Sequence, residues 1–134
     1  MNKAKNNTPS FFKNLGKLYY AIAAADKKVT KEEYNALLKT ISNQWLHTET
    51  DIDAKYHIVS TFQSLYLEDY KAQICFDDFI TFKKNNESLF TNAIKKQILK
   101  TASIIASSFS NQNKSELIML ATLSIEFKKP KNEK

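Results

Sequence analysis

The chain has 134 residues, 43% of them hydrophobic and 25% charged, and a net charge of +6. That length and composition fit one globular domain with a real core and exclude a disordered chain. One Gly and two Pro supply too few turns for a β-sandwich or barrel, no apolar run is long enough to span a membrane, and a single Cys excludes an internal disulfide framework.

The opening MNKAKNNTPS is basic but has no apolar stretch behind it, so a secretory signal is not expected. Thr8 suits a helix cap and Pro9 a first turn, which predicts a first helix over 10–25. Its apolar positions are Phe11, Leu15, Leu18, Tyr19 and Ile22. A second helix is predicted just after Thr30, with Tyr34, Leu37, Leu38, Ile41 and Trp45 as its stripe. A third is predicted over 51–66 with Ile52, Tyr56, Val59, Phe62 and Tyr66. A helical region over 68–84 is expected to break near Cys75. A long helix is predicted over 88–108, with Ile94, Ile98, Ala102, Ile105 and Ala106 inward. FSNQN reads as a turn, and a last helix over 114–127 places Leu117, Leu120, Leu123 and Phe127 on one stripe. The expected fold is therefore an all-α, single-domain bundle of about six or seven helices. Residues 8–128 form the domain, with 1–7 and 129–134 as flexible polar tails.

Most of the positive charge sits at the two ends, with Lys3 and Lys5 in 1–7 and four lysines against Glu133 in 128–134. Every basic residue is Lys. Arginine is the usual reader of guanine edges and the usual bidentate phosphate ligand, so its absence argues against specific nucleic-acid binding. Within the body, 47–78 is mainly acidic and 83–114 mainly basic. Two solvated faces explain this most simply. A basic surface with Lys95, Lys96 and Lys100 toward an anionic partner is the sharper alternative.

The stretch AIAAADKKVTKEE, residues 21–33, invites three readings. As a twelve-residue calcium loop ending on Glu33 it fails. Ile22 and Ala24 fall where oxygen ligands are needed, and Lys27 falls where the sharp turn wants Gly. As a helix start it succeeds. TKEE is a capping box in which Thr30 and Glu33 bond reciprocally, and NKSE at 113–116 allows the same for Glu116. There is also a weak internal repeat of 21–37 at 104–120, pairing Glu33 with Glu116 and Leu37 with Leu120. Two similar helical hairpins, or chance likeness between amphipathic hairpins, would each produce it.

The third reading is a resemblance. YYAIAAADKKVTKEEYNALLKTI resembles the first signature of the tellurite-resistance TerB-like family, in which an alanine-rich helix leads to Asp-Gly-x-Val/Ile and a later Glu. IIASSFSNQNKSELIMLATL looks like a diverged second signature. The middle, about 46–88, matches no such pattern. The resemblance implies a helical bundle of two pseudo-repeated hairpins with acidic residues gathered near the two turns, where metal binding is suspected. Carried over, Asp26, Glu33 and Glu116 become candidate metal ligands. Lys27 stands where the family has Gly, and Phe109 where it has a second Asp. A divalent cation wants several anionic oxygens, so any such site is expected to be weak.

Other chemistry-bearing residues read as structural. His47 and His57 do not share a helix face, and Cys75 between Ile74 and Phe76 reads as a buried hydrophobe. Asp77 and Asp78 are adjacent and diverge by about 100° on a helix. Tyr19, Tyr34 and Trp45 sit at core spacing. The resemblance implies a cytoplasmic, non-enzymatic module with a protein partner and no cofactor beyond a weak divalent cation, serving stress-linked interaction or ligand sensing. A hydrolase or transferase is the alternative. Two carboxylates and a His in one deep pocket would favour it.

Overall fold

The computed structural model describes residues 3–25, 29–45, 53–108 and 114–129. Among these there are six α-helices, one 3-10 turn and no strand: α1 (Lys3–Ala23), α2 (Lys31–Gln44), α3 (Asp53–Glu68), α4 (Ala72–Asn85), the turn Glu87–Leu89, α5 (Asn92–Ser107) and α6 (Lys114–Lys128). No helix among them is long and apolar enough to cross a membrane. The all-α bundle expected from the periodicity is the fold. Whether its two ends repeat is a matter of resemblance alone.

α1 is the central helix. It packs against α3, α4, α5 and α6, and α2 closes the far side against α3 and α5. Leu15, Leu18, Tyr19 and Ile22 are fully enclosed, as their spacing predicts. Tyr34 and Trp45 are buried as well. A second aromatic cluster joins the other half. Phe90 lies 5.3 Å from Phe11, 5.9 Å from Phe79 and 6.0 Å from Phe127, mostly edge to face.

Several boundaries differ from expectation for identifiable reasons. α1 begins at Lys3, so Pro9 lies inside it and Thr8 does not start it. A proline inside a helix removes one amide donor but keeps a helical φ, and here the helix continues past it. The predicted long helix over 88–108 is instead a 3-10 turn, the buried Phe90, and then α5, capped by Thr91 Oγ1 accepting from the Ile94 amide at 3.2 Å. α4 does not break at Cys75. The interruption comes earlier, where the Asp69 amide donates to Tyr66 O and the Tyr70 amide to Leu65 O, both at 3.1 Å. This is a Schellman ending with Asp69 at φ 52°, in the position that usually holds glycine.

α6 keeps most of its predicted stripe, with Leu123 and Phe127 buried and Leu120 packed against the core, and only Leu117 turns outward. Met119, Leu123 and Phe127 point inward, but so do Glu116 and Glu126, at 7% and 5% exposure. Leu117, Ile118 and Ile125 are 47%, 58% and 62% exposed. Tyr56 of the predicted α3 stripe is likewise exposed, while Ala54, Ile58, Phe62 and Leu65 face the core.

Candidate functional site

The predicted carboxylate set is only partly visible. Asp26, with Lys27 and the second-signature Phe109, lies outside the described residues. Glu33 is half of a capping box. Its Oε1 accepts from the Thr30 amide at 3.0 Å, while Thr30 Oγ1 accepts from the Glu33 amide at 3.1 Å. Glu116 lies in the first turn of α6 and is buried. Among the described residues no group of three or more His, Cys, Asp or Glu side chains is arranged to hold a metal ion.

The strongest electrostatic feature was not legible in the sequence. Lys83 of α4 is completely buried, and its Nζ donates to Glu87 Oε2 at 3.0 Å, Glu126 O at 3.1 Å and Glu126 Oε2 at 3.3 Å. Lys129 donates to Glu126 Oε1 at 3.1 Å, and Lys95 to Phe127 O at 3.0 Å. Lysines from α4 and α5 thus donate to two of the last carbonyls of α6, of which Glu126 O also accepts from the Lys129 amide at 3.3 Å. Lys95, one of the three lysines of the alternative basic surface, is thus committed to the C-terminus of α6.

Burial pushes the Glu126 carboxyl up, but hydrogen bonds from Lys129 and Lys83 and their charges outweigh it and hold it below the ordinary glutamate range. A carboxyl lowered by folding stabilises above its unfolded pKa, and loses that contribution as pH falls through the folded value. Urea unfolding at stepped pH is expected to show wild type losing more stability than Glu126→Gln below the ordinary glutamate pKa. Parallel profiles would mean the pair does not carry this acid sensitivity.

The remaining chemistry-bearing side chains are accounted for locally. Asp77 accepts from Gln73 at 2.9 Å and Asp78 pairs with Lys17 of α1 at 3.3 Å, so the adjacent acids do diverge. Cys75 is fully enclosed, and burial, with Lys17 opposing and Asp78 adding, pushes its thiol up to about 11. It is a neutral hydrophobe at pH 7. His57 lies 5.3 Å from the Tyr56 ring, and His47 is outside the described residues.

What stands out as a surface is α6 with its neighbour α4. The exposed positions Lys114, Ile118, Ala121, Ile125 and Lys128 recur at three- and four-residue steps, so they lie on one face. Leu117 and Thr122 widen it. At about 1.5 Å per residue the stripe is about 21 Å long. Beside it a cavity of about 410 Å³ opens between the helices, with Phe76 and Met119 in its floor and Ile80, Ile118 and Asp77 in its walls. The stripe's spacing was present in the sequence. It was masked because α6 is apolar nearly all round. Comparison with known proteins gives no match among family models, curated proteins or solved structures.

Proposed function

We propose that this chain is a non-enzymatic binding module that docks an amphipathic helix of another protein on the α4–α6 face. The observation that carries it is the inversion on α6, which buries Glu116 and Glu126 while exposing Leu117, Ile118 and Ile125. A helix that is apolar all round is ordinarily covered all round. The open groove beside the stripe, floored by Phe76 and Met119, offers a place for an apolar anchor, the feature that concentrates binding energy at helix-in-groove interfaces.

Charge selects the occupant. The stripe is apolar in its middle and carries Lys114 and Lys128 at its two ends. A second copy packed antiparallel on α6 would set Lys114 against the other copy's Lys128, like against like. An amphipathic helix with acidic residues flanking its apolar positions meets both ends favourably. The cytoplasmic, TerB-like assignment belongs to this proposal and rests on the AIAAADKKVTKEE region and the all-helical bundle. A stress-linked role follows from that resemblance alone.

The flanking lysines make the proposal testable by amine-reactive cross-linking in the native cell. Links from Lys114 and Lys128 to another protein are expected, and the double variant Ile118→Glu/Ile125→Glu should abolish them while melting as wild type does. Both substitutions are at exposed positions, so the fold is spared. Links only to a second copy of this chain, or links unchanged in the variant, would overturn the reading.

A further inference from the structure

α4 and α6 lie side by side and run in the same direction. Lys83 Nζ reaches Glu126 across the seam, and seven residues earlier on each helix Phe76 and Met119 both line the groove. Residues 43 apart in sequence therefore stand level along this pair. Asp77 is level with Leu120, six residues past Lys114 and eight short of Lys128. At about 1.5 Å per residue, it stands about 9 Å from one lysine level and about 12 Å from the other.

Asp77 is the one charged side chain among the described residues that line this groove. It is exposed, and Ile80 and Ile118 share the groove walls with it. Its carboxylate is steadied from within α4, where Gln73 Nε2 donates to Oδ1 at 2.9 Å. That partner is a neutral amide. Nearby acids take lysines instead: Asp78 takes Lys17, Glu87 takes Lys83, and Glu126 takes Lys83 and Lys129. Asp78 turns toward α1, so of the adjacent pair only Asp77 faces the groove. A carboxylate held by an amide keeps its charge for a cation. An apolar or acidic residue laid over it would cover that charge without compensation.

We infer that this groove, read as the helix-docking face proposed above, selects a helix that carries a lysine or arginine opposite Asp77. The two lysine levels fix the rest of that helix's contact face. Seven residues make about two turns and return to the same side. The occupant therefore presents an acid, a cation about seven residues on, and a second acid about seven residues beyond it, with apolar residues between. A second copy of α6 offers the reverse, with Lys114 and Lys128 at the ends of its exposed stripe and Ala121 in the middle.

Zero-length carbodiimide coupling in freshly lysed native cells tests this, because it joins an amine only to a carboxylate in contact with it. Lys114 and Lys128 of the full chain are expected to couple to two acids of one partner segment. Those acids should lie about fourteen residues apart, with a lysine or arginine midway. Asp77→Lys should lower the yield of both couplings by roughly tenfold or more, because it sets like charges together. Asp77→Asn should lower it several-fold. Asp78→Asn, which removes the same charge on the α1 side, should leave it unchanged. Melting curves of the three variants check the fold. A coupled segment without the midway cation, unchanged yields in Asp77→Lys, or equal losses in Asp77→Asn and Asp78→Asn would overturn the inference and leave the docking reading standing. No coupling of either lysine to another protein would overturn both.

Discussion

Lys83→Met is expected to cost about 3–5 kcal/mol of folding stability, the largest effect of any single polar substitution in this bundle. Methionine retains much of the stem but none of the charge. The loss leaves the buried Glu126 carboxylate with Lys129 alone, and strips a donor from Glu87 Oε2 and from the Glu126 carbonyl. The penalty is mainly that of an under-compensated buried charge, not the net worth of an ion pair. A second substitution separates the two. In Lys83→Met/Glu126→Gln the charge is gone from both sides, so the double variant should recover a substantial part of the loss. Urea unfolding of wild type, both single variants and the double variant closes the cycle. Additive losses would mean that Lys83 and Glu126 are not coupled, and that the 3.3 Å contact is incidental.

The network shows why some of this molecule could be read in one dimension and some could not. The TKEE capping box joins residues three apart, so its donors and acceptors are already in order along the chain. Helix existence is equally local, because apolar spacing is a property of a short window. Lys83 and Glu126 lie 43 residues apart, and nothing near either announces the other. Lys83 was read among the solvated lysines of 83–114, and only the packing of α4 on α6 encloses it. The end of α3 was placed at 66, within two residues of Glu68, although its left-handed residue is an aspartate and not the glycine that marks such stops. On α6 the stripe was legible except for Leu117, and the burial of Glu116 and Glu126 was not. Leu117, Ile118, Met119, Leu120, Leu123, Ile125 and Phe127 leave no polar side for periodicity to find. That same ambiguity is what motivates the proposed docking face, since a helix in water on one side has no need of it. Of the metal candidates, Glu33 was legible as a cap, and Glu116 gave no local sign that it would be buried.

Gly16→Ala is expected to destabilise the bundle by about 1–3 kcal/mol, although alanine is the better helix former. In an exposed helix the substitution would gain about 1 kcal/mol. Gly16 is the chain's one glycine and it is buried in the middle of α1, where no turn or positive φ requires it. What requires it is the approach of α3. A Cβ at this position would come within 2.7 Å of Thr61 Cβ, 2.8 Å of the Ile58 carbonyl oxygen and 3.0 Å of Thr61 Cγ2. A flexible side chain could swing away, but a carbonyl in a helix and a Cβ cannot. Relief therefore requires α1 and α3 to move apart, which loosens Leu15, Tyr19 and Phe62 in the core around them. Thr61→Ala provides the control. It removes Cγ2 but leaves Cβ and the Ile58 carbonyl in place, so Gly16→Ala/Thr61→Ala should regain little. Thermal melts of the four proteins decide the matter. A Gly16→Ala variant as stable as wild type would mean that α1 and α3 lie further apart than described here.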